Sequence, residues 1–285
     1  MDFKIADDIE LAQELLECSR RELARKFGMQ IMTFNRWAQG GSEPSERSLS
    51  GFYDQAFKRG IRFNNIKAQL YQEDYSNSGD VVLFHGSKSG IAGKLSLDHS
   101  REGNDFGRGF YCGENLEQSA MFVSKFEHSS IYMIAFCPEG LDGVRFGVDQ
   151  DWMLAVALFR GRLSRYADHP RIQALRGRVE ASDYVVAPIA DNRMFEIIDS
   201  FIEGEITDVQ CQHCLSSTSF GFQYVFTTQK ALDRTRILEH CFLCQSEKES
   251  YFSAHEETTR TGLDKAKTAR RQYRGQGCYI DEVLS

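Results

Sequence analysis

Residues able to do chemistry gather in two short stretches of this chain. VVLFHGS, residues 81 to 87, is an apolar run that turns polar at His85, Gly86 and Ser87. It predicts a buried strand whose end sets an imidazole, a backbone bare of Cβ and a hydroxyl side by side. Some twenty residues on stands DFGRGFYCGENLEQSAMFV, residues 105 to 123. It reads as a Gly-x-Gly turn, the aromatic pair Phe110-Tyr111, and a helix carrying Ser119, Ala120, Phe122 and Val123. Together these groups offer a ligand hydrogen bonds, close backbone approach and ring stacking. Each piece alone also reads as plain structure: a satisfied strand-end histidine and a tight turn. The turn lacks the third glycine and the βαβ setting of a dinucleotide fingerprint.

A third stretch, FGFQYVFTT at 220 to 228, alternates as a strand does and centres on Gln223. The polar run before it, Ser216 to Phe220, reads as a turn. Upstream, Asp183 to Ile189 predicts a strand, Asp191-Asn-Arg193 a polar turn, and Met194 to Ile202 a helix. Asp191 and Arg193 read as a helix cap and a surface ion pair, or as groups facing a site.

The order LFHGS, then FGRGFY, then Ser119-Ala120 eight and nine positions after Tyr111, resembles the NAD-binding core of the ADP-ribosyltransferase superfamily. The likeness is to its His-Tyr-Glu branch, with diphtheria toxin and the poly(ADP-ribose) polymerases. The resemblance implies NAD as substrate. It implies that His85 bonds the adenosine-side ribose, and that Gly86 and the Ser119 hydroxyl pair with the nicotinamide amide, Ser87 lying beside them. Tyr111 and Phe122 would stack on the two nicotinamide faces. In the branch a later strand carries a catalytic glutamate, and here that slot holds Gln223, a departure. A glutamine keeps the hydrogen bond and loses the charge, which argues against chain elongation and fits transfer of a single ADP-ribose, or an inactive remnant. QYVF-T-KAL and the block 183 to 207 are similar to a bacterial group of this superfamily in which glutamine is the ordinary residue. The loop 216 to 220 takes the place where such transferases recognise the acceptor.

Helical spacing of Ile5, Ile9, Ala12 and Leu16 predicts a first helix, and Ser19-Arg-Arg-Glu22 is a capping-box pattern opening a second. Gly28 ends it, a further helix runs from about Gln30 to Gln39, and Ser45 can cap another. SRRELARKFGMQIMTFNRWAQGGSEPS resembles the helix-turn-helix of phage-repressor-like regulators, which implies that Gln30, Thr33, Asn35 and Arg36 face DNA. Residues 1 to 60 hold nine Lys/Arg against ten Asp/Glu, so dimer or partner contacts are the other reading.

The 285 residues suffice for one large or two ordinary domains, with 41% hydrophobic and 26% charged residues and four prolines. Net charge is −7, unfavourable for coating nucleic acid without a local site. No apolar run approaches the ~20 residues that span a bilayer, and the acidic start does not read as a secretory signal, so a cytoplasmic protein is expected. Without such a signal the eight cysteines read as thiols. Cys211-x-x-Cys214 and Cys241-x-x-Cys244 invite zinc, yet 26 residues separate the pairs and buried thiols are the simpler reading; no metal is expected. Lys265, Lys267, Arg270, Arg271 and Arg274 mark a charged tail, a solvated helix or an acceptor-contacting strip.

The expected architecture is α+β. A helix-turn-helix module (1–72) precedes an ADP-ribosyltransferase-like split β-sandwich of mainly antiparallel sheets (80–245) and the tail (246–285). The expected function is NAD-dependent mono-ADP-ribosyl transfer to a macromolecule, protein or nucleic acid. By analogy of architecture that suits a bacterial toxin, as in toxin–antitoxin pairs, or a phage-defence effector checked by an inhibitory partner. The alternatives are a DNA-binding transcriptional regulator that senses NAD without cleaving it, and an NAD+ glycohydrolase.

Overall fold

The computed structural model describes residues 3–98, 100–217 and 221–285. The last three residues of the expected acceptor loop, 218–220, lie outside the described residues. The chain opens with α1 (Ile5–Leu15), α2 (Arg20–Lys26), α3 (Ile31–Ala38), α4 (Glu46–Lys58) and α5 (Phe63–Tyr75). There follow β1 (Val81–Ser87), β2 (Phe110–Gly113), α6 (Leu116–Val123), β3 (Ser130–Phe136) and β4 (Gly143–Arg145). Next come α7 (Gln150–Phe159), α8 (Pro170–Glu180), β5 (Tyr184–Pro188), α9 (Asn192–Ile202) and α10 (Asp208–Ser216). Then β6 (Phe222–Phe226), α11 (Gln229–Leu232), β7 (Thr235–Phe242), α12 (Gln245–Gln272) and α13 (Ile280–Val283) complete a mixed α and β protein. Among the described residues no helix is long and apolar enough to cross a membrane.

Two compact units divide the chain. The first comprises Met1–Ile91, Asn115–Phe136 and Arg236–Ala254. Its strands β1 and β3 pair antiparallel, from Val81 opposite Phe136 to Ser87 opposite Ser130, and β7 lies beside β3. Ser19 and Glu22 form the reciprocal cap of α2, and Phe34 and Trp37 of α3 are buried against α2 and α4 through Phe27 and Phe52. The helices share this unit with the strands because a buried charge cluster ties them there. Lys67 Nζ lies 2.6 Å from Asp8 Oδ1 of α1 and 3.0 Å from Glu239 Oε1 of β7. Tyr53 of α4 donates to Asp8 Oδ2 at 2.5 Å. Removing one member of such a set strands a buried charge.

The second unit comprises Ala92–Glu114, Cys137–Thr235 and His255–Ser285. Its strands run β4–β5–β6–β2, parallel between β4 and β5 and antiparallel across β5/β6 and β6/β2. Helix α7 is apolar all round, from Trp152 to Leu158, and accordingly buried throughout. It forms the centre of a core with α8, α9 and β5. Asp149 and Asp191 cap α7 and α9, and Thr207 with Gln210 forms the capping box of α10.

Where α12 opens in the first unit, Glu247 is buried and accepts from Asn64 Nδ2 of α5 at 3.0 and 3.1 Å. Burial raises its carboxyl from 4.5 to about 7, against the pull of the Asn64 bond and the Arg62 charge. Below pH 4.5 the acid is neutral folded and unfolded, and its full contribution is present. Rising pH ionises the unfolded chain first, so that contribution falls away until pH passes about 7. The displacement corresponds to on the order of 3 kcal/mol. Glu247→Gln is therefore expected to match the native protein in thermal unfolding at pH 4 and to exceed it at pH 8. An equal gain at both values would place the effect elsewhere than in the carboxyl.

Candidate functional site

In the first unit, His85, Gly86 and Ser87 are the last three paired residues of β1, opposite Tyr132, Ile131 and Ser130. Helix α6, capped by Asn115, lies directly on this strand end. A Cβ on Gly86 would stand 2.6 Å from the Ser119 carbonyl oxygen and 2.8 Å from Val123 Cγ1, so only glycine lets the helix approach. Ser119, also buried, donates from Oγ to the Phe84 carbonyl at 2.8 Å. Phe122, three residues on, is 41% exposed. Ser87 Oγ donates to Gly90 O at 2.9 Å and closes the turn after the strand. This unit thus brings Gly86 and the Phe84 carbonyl together with Ser119, with His85 between them on the strand.

In the second unit the Gly-x-Gly turn is fixed by its own residues. Gly107 takes φ +72°, and a Cβ on Gly109 would stand 2.7 Å from Val225 Cγ1. Tyr111 Oη donates to Gly107 O at 2.8 Å and accepts from Phe106 N at 3.2 Å. Burial raises that phenol well above its ordinary value. Tyr111 lies opposite Val225, and Gly113 opposite Gln223. Side chains alternate along a strand, so Tyr111 and Gln223 share one sheet face.

Gln223, 7% exposed, is held by acceptors. Its Nε2 donates to Asp105 Oδ2 at 2.8 Å and to Pro188 O at 3.1 Å. Asp105, 5% exposed, also accepts from Arg160 Nε at 2.9 Å, Arg160 Nη2 at 2.5 Å and Ala190 N at 3.2 Å. Arg160 lies 4.3 Å over the Phe195 ring and donates to Ala190 O at 2.8 Å. The carboxylate beside position 223 therefore comes from the first residue of the DFGRGFY motif, and the guanidinium at the end of α7 balances its charge. Sequence reasoning assigned no role to Asp105 or Arg160. The one signal for Asp105 was its place ahead of the turn, and Arg160 stands 55 residues from it.

Asp191 accepts from the amides of Arg193 and Met194 and serves as the α9 cap. Cys211 and Cys214 donate to Ile197 O and Ala266 O. Cys241 and Cys244 are buried in two further apolar clusters of the first unit. Among the described residues no group of three or more His, Cys, Asp or Glu is placed to hold a metal ion. On α3 and its cap, Gln30, Asn35 and Arg36 are exposed and Thr33 is half-buried. Ile31 and Met32, 36% and 76% exposed, share that surface.

These features define a mixed α and β protein built on a glycine-dependent strand–helix contact in one unit and an Asp–Arg–Gln cluster in the other. A family model described as "Protein of unknown function (DUF3990)" matches residues 81–237, more than half of the chain, which therefore belongs to that family. No curated protein and no solved structure matches.

The donor and acceptor pattern at Gln223 makes a direct prediction. Gln223→Glu sets a carboxylate against Asp105 and a carbonyl, so it should lower the melting temperature, and more at pH 8 than at pH 5. Asp105→Asn in the same chain should restore part of that loss, because an amide at position 105 can donate where the carboxylate only accepted. Strictly additive losses in a four-point thermal-unfolding cycle would show that the two side chains do not interact.

Proposed function

We propose that the chain is an NAD-dependent mono-ADP-ribosyltransferase with the split β-sandwich of that superfamily, three strands belonging to one unit and four to the other. The observation that carries the reading is the His85-Gly86 strand end with Ser119 of α6 held against it. It gives a physical reason for two of the motif's residue types, Gly86 and Ser119, in the order that the resemblance requires.

On this reading His85 bonds the adenosine-side ribose, and the Gly86 backbone pairs with the nicotinamide amide. The Ser119 proton is committed to Phe84 O, so its oxygen accepts from that amide. The resemblance assigns the stacking roles to Tyr111 and Phe122. Both amide hydrogens of Gln223 are committed to Asp105 and Pro188, so Gln223 acts through Oε1, accepting from a hydroxyl of the nicotinamide-side ribose. The bond between nicotinamide N1 and ribose C1′ breaks, and its electron pair leaves with neutral nicotinamide. The oxocarbenium-like C1′ takes an acceptor nucleophile, whose proton is released. With Asp105 balanced by Arg160, little net negative charge faces that cation, which favours a single transfer over elongation.

Calorimetry is expected to give NAD+ binding that His85→Ala and Tyr111→Ala weaken. Gln223→Ala should lower nicotinamide release, followed by chromatography, about 10²- to 10³-fold with a much smaller effect on affinity. Absence of NAD+ binding by the full chain would overturn the proposal. Free ADP-ribose equimolar with nicotinamide, whatever acceptor is offered, would make it a glycohydrolase.

The exposed row Gln30, Asn35 and Arg36 favours a second reading, a DNA-binding regulator that senses NAD. In that case Gln30→Ala and Arg36→Ala should weaken gel-shift affinity for the protein's own promoter, and NAD+ should stay intact. Loss of the shift without sequence preference would assign the row to partner contacts.

A further inference from the structure

Within the second unit, the later half of α12 forms one wall of an open groove of about 640 Å³, and the end of α10 forms the other. Arg260, Asp264, Thr268 and Gln272 recur every four residues, with Thr261 and Lys265 alongside, so they form one stripe along the helix. On the neighbouring face Ala266 and Ala269 pack on Cys214, and Ala269 also lines the groove. At the groove's end the rings of His213 and Tyr273 stack with centroids 3.5 Å apart and planes 3° from parallel. His213 is exposed and Tyr273 half-buried.

Charge is segregated here. Residues 260 to 274 hold six Lys/Arg against the single acid Asp264, in a chain of net charge −7. Arg270 reaches Glu205 only at 3.4 Å, and Lys267 reaches Asp264 only at 3.6 Å, both on exposed side chains. Such rim pairs contribute little, and in the groove itself the cations Arg260 and Lys265 outnumber the one acid, Asp264. A basic stripe, neutral hydroxyl and amide donors, and a stacked ring pair with one face toward solvent match the chemistry of single-stranded nucleic acid. Cations meet the phosphates, and an aromatic platform takes a base of any identity. A phosphopeptide would use the cations and leave the ring platform without a role.

We propose that this groove binds single-stranded nucleic acid, with Arg260 and Lys265 on phosphates and a base extending the His213–Tyr273 stack. Resting on the transferase reading, the groove makes nucleic acid the class of acceptor. Ser217 at its edge stands six residues before Gln223, at most about 22 Å away along the chain.

The test is fluorescence anisotropy of the full chain with labelled single-stranded DNA and RNA oligonucleotides of mixed sequence, without NAD+. Binding should weaken with salt, with a logarithmic slope of about −1.4 for two phosphate contacts. The double variant Arg260→Ala, Lys265→Ala should flatten that slope toward zero. His213→Ala should lower affinity about 10-fold at fixed salt with the slope unchanged, whereas Tyr273→Phe, which keeps the ring, should bind as the native chain does. No binding at low salt, undiminished binding by the groove variants, or tighter capture of a phosphopeptide would overturn the proposal. Nicotinamide release measured on the same preparations separates the two ideas. Release without oligonucleotide binding would remove the groove proposal alone. Oligonucleotide binding without NAD+ binding would remove the transferase reading and leave a nucleic-acid site.

Discussion

A buried carboxylate surrounded by donors sets the terms for the second unit. Asp105 takes hydrogen bonds from the Arg160 guanidinium, the Gln223 amide and the Ala190 backbone, so one side chain fixes α7, the loop after β5 and strand β6 relative to the Gly-x-Gly turn. A charge out of water persists only where it is paired and hydrogen-bonded, and here both conditions hold. Position 223 must then offer N–H to its neighbour. A side chain that only accepts would leave Asp105 facing another oxygen.

The first unit obeys a steric constraint. Helix α6 rests on β1 at Gly86, where no other residue leaves room, and Ser119 uses its hydroxyl to fasten the two through the Phe84 carbonyl. Both small residues are thus accounted for by packing as well as by the ligand roles proposed for them. The two explanations are compatible, since Gly86 remains only half-buried with the helix against it. On the other side of the unit, Lys67 sits between Asp8 and Glu239 and binds helices α1 and α5 to β7.

Local features were legible in the sequence. The capping box at Ser19 and Glu22, the strand around Gln223 and the helix after Asp191 need only near neighbours, and the structure forms each of them. The expected module ended at 72 and the next domain began at 80, yet α5 continues to Tyr75, since nothing in those first residues stops a helix. Position 223 was legible as a departure, but the reason for its amide was not. That reason lies in Asp105, 118 residues away in sequence, and no periodicity reports a contact of that kind. The charged tail read as a solvated helix or a contacting strip. Its ordered length, a helix of 28 residues, depends on Ala266, Ala269 and Tyr273, small or amphipathic residues whose spacing makes a weak apolar signal beside so many charges.

The pairing of Asp105 with Gln223 also constrains how this site can change over generations. Glutamine and glutamate codons differ by a single base, so a chain with glutamate at position 223 arises readily by mutation. In the present background it would carry two adjoining anions with one guanidinium, bound to Asp105, to balance them. The mutant becomes tolerable once position 105 has lost its charge, and a neutral residue at 105 in turn removes the main partner of Arg160. The one-base step is therefore closed unless a second substitution accompanies it, so glutamine here is locked by its neighbour and is no transient stage toward glutamate.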